Sequence, residues 1–149
     1  SPQDFAIFST VVEVKTRIGA GPARVRISSP EQLWPSLPLM FLCVYFLSID
    51  APGGMSINEL VAEIRSQLSR PDHLLAFERR LESVGYLDLP EYETSTLRAD
   101  RMDTFHVGQG FPSIAPSSVP EGVSHLNYDL SLDHCRPFIA AISWPASGD

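Results

Sequence analysis

The sequence has little that would staple or anchor a protein. Its two cysteines, Cys43 and Cys135, are too few for a disulfide framework and too far apart for a metal-spaced pair. Cys43 sits in an apolar run and reads as a buried thiol, so a reducing, cytoplasmic compartment is expected. The longest apolar run, residues 37–49, falls short of the ~20 residues that span a bilayer. No secretory pattern precedes it, so no membrane partner is expected. A serine-hydrolase elbow and a phosphate loop opening a helix are both missing. His73, His106, His125 and His134 lack the spacing of zinc ligands. Lysine is almost absent as well: of 11 basic residues, only Lys15 is not arginine.

What is present supports a real core. At 44% hydrophobic the chain is neither disordered nor fibrous, and its length suits one domain or two small ones. With 18 acidic residues the net charge is −7, which speaks against a protein held to nucleic acid by bulk charge alone. The charge is uneven, however. Residues 1–30 carry +2 and the remaining residues −9, so any polyanion site is expected near the N-terminus.

The pattern of residues 4–49 predicts strand, strand, strand, helix, strand. DFAIF (4–8) and VVEVKT (11–16) are rich in β-branched and aromatic residues, and RIGAGP (17–22) is a turn. ARVRI (23–27) alternates, with Val25 and Ile27 on one face and Arg24 and Arg26 on the other. SSPEQLW (28–34) reads as a helix start in which Ser29 and Gln32 close a capping box. Residues 39–49 have no polar face, as in a strand covered on both sides. The loop 50–54 marks a boundary between a core of residues 1–54 and an extension of residues 55–149. That extension is expected to hold two amphipathic helices and a β-ribbon. The first helix opens at Ser56 with stripe residues Ile57, Leu60, Val61, Ile64 and Leu68. The second starts at Pro71, turns Leu74, Leu75, Phe77, Leu81 and Val84 inward, and stops at Gly85. Strands are expected at 97–107, 123–132 and 136–142, with a Pro/Ser/Gly-rich connection at 108–122.

On the second strand Glu13 and Lys15 share a face, and Val12 and Val14 point the other way, toward an expected core. A hairpin turning at Ser9-Thr10 would set Asp4 opposite Lys15 and diagonal to Glu13. Asp4 and Glu13 offer hard oxygen ligands for Mg²⁺ or Mn²⁺, which need only one or two carboxylates beside waters and phosphate oxygens. Lys15 offers a compact charge with a tunable pKa, which arginine does not. The triplet alone is weak. At an average charged usage of ~25%, [DE]-x-K arises roughly once in a chain this long, and by itself it reads first as an exposed cross-strand ion pair.

The context goes further than the triplet. Gln3-Asp4, a nine-residue step and Glu13-Val14-Lys15 resemble the PD-(D/E)xK nuclease superfamily, with its restriction-endonuclease-like fold. QDF, EVKT, RISSPEQL, ELVAEIRSQL, FERRLESVGY and FPSI…VPEGV are similar to a bacterial family of PD-(D/E)xK motif proteins. The resemblance implies an α/β fold, a mixed sheet with flanking helices whose first core helix would precede Ser1. It also implies metal-dependent cleavage of DNA in a restriction or phage-defence setting, with other defence proteins as partners. Asp4 and Glu13 would hold metal, Lys15 would assist the attacking water, and Gln32 would support them. Arg24 and Arg26 would contact phosphates. The motif's proline stands at position 2, with Gln3 between it and the acid. Two other readings stand beside this one: a non-catalytic nuclease-like subunit, and a plain α/β interaction domain with Asp4 and Lys15 on opposite sheet faces.

Overall fold

A computed structural model describes residues 3–142, so the motif's Pro2 lies outside the described residues. The strands are β1 (Phe5–Ile7), β2 (Thr10–Ile18), β3 (Arg24–Ile27), β4 (Leu39–Ile49), β5 (Leu97–His106) and β6 (Tyr128–Ser131). The helices are α1 (Ile57–Gln67) and α2 (Pro71–Ser83), and a 3₁₀ turn at Pro30–Leu33 joins β3 to β4. β1, β2, β4 and β5 lie side by side in that order as a mixed sheet, and β3 pairs with β6 in a second, two-stranded sheet. This is the α/β architecture of the restriction-endonuclease-like expectation. One strand departs from it: β3 bonds to β6 instead of completing an antiparallel trio with β1 and β2.

Register follows from a few bonds. β1 and β2 are antiparallel, with Phe5 opposite Val12 and Ile7 opposite Thr10, so the hairpin turns at Phe8-Ser9 and not at Ser9-Thr10. Phe8 takes a positive φ of 54°, a left-handed conformation usually left to glycine. β4 starts beside β2, where the Leu39 N–H donates to the Ser9 carbonyl at 3.0 Å. β5 runs against β4: the Val107 N–H donates to the Met40 carbonyl at 2.9 Å, and farther along the Cys43 thiol meets the Thr104 hydroxyl at 3.7 Å.

The described residues divide into two compact units, one of residues 3–46 with 100–142 and the other Leu47–Ala99. In the first, Val11, Met40, Leu42, Val44, Phe105 and Val107 share one buried cluster with Val25, Ile27, Leu33 and Leu130. Met40 through Val44 are all buried, as expected of a strand covered on both faces. The alternation on β3 also holds, with Val25 and Ile27 buried and Arg24 and Arg26 exposed. The expected parity on β2 holds only in part: Val12 is buried at 6% exposure and Val14 half-buried, but the main core cluster lies on the other face, with Val11. Val12 and Val14 line an open apolar groove of about 320 Å³ on their own sheet face, with Phe5, Ile7, Tyr45 and Met102.

In the second unit the Ser56 hydroxyl accepts the Glu59 N–H at 3.1 Å and starts α1 as the capping pattern predicts. α2 ends in a paired C-terminal cap at Gly85, whose φ is 76°. There the Tyr86 N–H reaches the Leu81 carbonyl and the Gly85 N–H the Glu82 carbonyl. The expected burial of its apolar face is not found: no residue of α2 is buried, and Leu75 and Val84 are exposed. Helical periodicity defines a stripe but cannot supply the surface that covers it. The strand expected at 136–142 is also corrected. Asp133–Phe138 forms a 3₁₀ turn around Pro137, which has no N–H for a ladder, and only Ile139 bridges to Phe105. Of 123–132, only Tyr128–Ser131 is strand. No helix among the described residues is long and apolar enough to cross a membrane.

Candidate active site

The period-two geometry of β2 puts Val11, Glu13 and Lys15 on one side of the strand. Val11 is fully buried and Glu13 is 1% exposed, so an acid continues the row that a core valine begins. Burying a carboxylate without partners is costly. Lys15 answers part of that cost, its Nζ standing 3.2 Å from Glu13 Oε1 with a side chain only 17% exposed. The same Nζ donates to Gln32 Oε1 at 3.1 Å. Gln32 Oε1 also accepts the Ser28 N–H at 2.9 Å.

Gln32 therefore does not close a capping box with Ser29, whose side chain makes no cap bond. The spacing Ser-x-x-Gln is the same in either case. Only the arrival of Lys15, seventeen positions earlier in the chain, decides where the amide goes.

Asp4 also lands elsewhere than the assumed hairpin places it. The observed register, extended by one pair beyond Phe5 and Val12, sets Asp4 opposite Glu13 rather than Lys15. Its Oδ2 accepts the Val14 N–H at 2.8 Å, which fastens the start of β1 to the middle of β2. Burial pushes the Glu13 carboxyl above its ordinary range and the Asp4 charge pushes it further, while the Lys15 ammonium and the Asp4 main-chain amide pull it back. Asp4, Glu13, Lys15 and Gln32 thus meet in one place, and Asp4 faces the acid that shares a side with Lys15.

The two arginines of β3 part company. Arg26 Nε binds Asp129 Oδ1 at 2.6 Å, its cross-strand neighbour on β6, and its Nη1 donates to Asn127 Oδ1 at 2.8 Å. Arg24 is exposed, and among the described residues no carboxylate pairs with it. The sequence reading treats both as phosphate contacts and gives no sign of Asp129 and Asn127, which lie about a hundred positions away. Gln3, seen in the sequence only as a spacer before Asp4, is 6% exposed and hydrogen-bonded.

Can this set hold a divalent cation? Glu13 Oε2 is buried and has no hydrogen-bond partner, and it is the one such side-chain atom among the described residues. A buried oxygen of this kind needs a hydrogen-bond donor, a water or a cation to satisfy it. No group of three His, Cys, Asp or Glu occurs among the described residues. The donors are therefore two carboxylates, a set that fits Mg²⁺ or Mn²⁺ completed by water and phosphate oxygens, and does not fit a structural zinc.

Comparison with known proteins bears on the same residues. No curated protein and no solved structure matches the chain. Residues 1–133 match the model of a family described as "Putative PD-(D/E)XK family member". That match takes in Asp4, Glu13, Lys15 and Gln32 and extends through β6, and with it the chain belongs to this PD-(D/E)XK family.

Proposed function

We propose that the protein is a Mg²⁺- or Mn²⁺-dependent nuclease that hydrolyses DNA phosphodiester bonds, acting in the cytoplasm in a restriction or phage-defence setting. The observation that carries this reading is the unpartnered, buried Glu13 Oε2 beside Lys15. Asp4 and Glu13 would hold the cation, which supplies charge neutralisation at phosphorus and a more acidic bound water. Lys15 stands where an ammonium offsets negative charge gathering on a phosphate and orients a water for attack. Gln32 fixes that ammonium from its other side. Arg24, exposed near the positive end of the chain's charge distribution, is the residue to meet a DNA phosphate. All of these groups fall within residues 1–54, the segment proposed as the nuclease-like core. Residues 55–149 are proposed as an extension that returns β6 to it.

The acidic balance, −7 overall, favours a second reading. Here the protein is a nuclease-like subunit that binds DNA or another defence protein without cutting. Calorimetric titration of Mn²⁺ into wild type and Glu13→Ala separates the two, followed by plasmid cleavage with wild type and Lys15→Ala. The nuclease reading expects metal binding that the Glu13 variant loses and cleavage that the Lys15 variant loses. Wild type that binds no metal and leaves plasmid intact overturns it in favour of the second.

A further inference from the structure

Gln3 stands where the motif's proline would, and it makes bonds that a proline could not. Its amide is buried, and buried amides need their hydrogen bonds met. The Nε2 group donates to the Glu31 carbonyl at 2.6 Å and to the Trp34 carbonyl at 3.3 Å. Its Oε1 accepts the Ser36 hydroxyl at 3.3 Å. These partners flank Gln32 on both sides.

Leu33 anchors the 3₁₀ turn Pro30–Leu33 in the core, and its own main-chain bonds are two, from the Gln32 N–H to the Ser29 carbonyl at 3.2 Å and from the Trp34 N–H to the Glu31 carbonyl at 3.3 Å. The turn is four residues long, and Ser29 provides no side-chain cap. The Glu31 carbonyl that closes it also accepts the Gln3 amide, which reaches on to the Trp34 carbonyl beyond the turn. The next residue, Asp4, is tied to β2 through the Val14 N–H. Residues 3 and 4 therefore join the turn that presents Gln32 to the strand that presents Lys15.

We propose that Gln3 is a positioning residue for Lys15: its buried amide suspends the Pro30–Leu33 turn so that Gln32 Oε1 meets the Lys15 ammonium. The importance given to Lys15 rests on the nuclease reading, but the coupling itself does not. A Gln3 variant acts through Gln32 and not on Lys15 directly, so its effect disappears once Gln32 is replaced.

Lys15, as the chain's one lysine, makes this measurable without catalysis. Protein grown on ¹³C-lysine gives a single side-chain ε-CH₂ signal, recorded without metal or DNA for wild type, Gln3→Met, Gln32→Met and the double variant. The expected result is that Gln32→Met moves the signal, Gln3→Met moves it the same way by at least half as much, and the double variant matches Gln32→Met alone. A Gln3→Met signal at the wild-type position overturns the proposal. So does an unmoved signal in Gln32→Met, or a double variant showing the two shifts added. If Gln3→Met does not fold, Ser36→Ala removes one bond to the same amide from an exposed position. The proposal then requires a smaller shift in the same direction, and no shift overturns it. A wild type that binds no metal leaves this experiment intact, so failure of the nuclease reading and failure of the coupling are told apart.

Discussion

Along β2, Val11, Glu13 and Lys15 look toward the core cluster, and Val12 and Val14 look into an open apolar groove. The charged pair shares the side of the strand on which the main core cluster lies. The acid of the inner face is buried at 1% exposure; on the valine face Val12 and Cys43 are buried as well, and the exposure falls on their neighbours Phe5, at 56%, and Met102, at 48%. The inner face is closed by packing as far as Val11 and by a polar network beyond it. That network runs from Asp4 through Glu13 and Lys15 to Gln32 and leaves one carboxylate oxygen unmet. A buried, incompletely satisfied polar group is destabilising, and such groups collect at sites of chemistry. The difference between the faces is therefore one of use: apolar contact on one, charge held out of water on the other.

The largest effect that would break this comparison comes from the core. Leu42→Ala, on the inner face of β4 and fully buried, is expected to cost about 3 kcal/mol by urea denaturation, as truncations in packed cores do. Met102→Ala on the groove side should cost less than about 1 kcal/mol, because its side chain is half exposed and leaves no closed cavity. Equal losses at the two positions would mean that the groove is covered in solution.

Next in size is the ion pair. Replacing Lys15 with Met leaves the Glu13 carboxylate buried without its counter-charge. Losing one partner of a buried pair costs ~3–5 kcal/mol, and the partial exposure of the Lys15 head argues for about 2 kcal/mol here. The loss should shrink at low pH, where Glu13 is neutral, and Glu13→Gln should restore most of it in the double variant. The sign for wild type follows from the direction of the Glu13 shift. Its carboxyl is raised in the folded state, so the folded chain holds that proton to higher pH than the unfolded chain does. The stability it contributes is complete below the ordinary carboxylate range and is lost as pH rises through the raised value. Glu13→Gln should remove that slope. A titration of unfolding free energy against pH checks both statements, and a wild-type curve rising through the same window would reverse the assignment.

Much of this was legible in the sequence wherever the determinant was local. β4 begins and ends where its apolar run does, and Ser56, Pro71 and Gly85 mark helix ends that the structure reproduces. The partnership of Glu13 and Lys15 needs only the two-residue repeat of a strand. What was hidden depends on distant residues. The hairpin turn moved by one residue because Phe8 accepts a positive φ that its side chain gives no reason to expect. With it Asp4 moved from opposite Lys15 to opposite Glu13. Which face of β2 is inner could not be read, since valines stand on both. Gln32 carried a complete local explanation as a cap and was claimed by a side chain from another strand.

β3 repeats the contrast on a smaller scale and gives the smallest expected effect. Arg24 and Arg26 project from the same exposed face, yet Arg26 is spent on Asp129 and Asn127. A guanidinium already paired with a carboxylate on the neighbouring strand must give up that pair before it can neutralise a phosphate. Arg24 gives up nothing comparable. Under the nuclease reading, Arg24→Ala should weaken binding to an oligonucleotide duplex uniformly across sequences and lower the slope of log affinity against log salt by about 1. Arg26→Ala should leave that slope unchanged and cost a few tenths of a kcal/mol in stability, the usual worth of an exposed pair. Salt titrations of the two variants in Ca²⁺ make the comparison without cleavage. A slope lost at Arg26 instead would mean that DNA takes the guanidinium away from Asp129, and the free charge on this face would then be the wrong guide to where the phosphates lie.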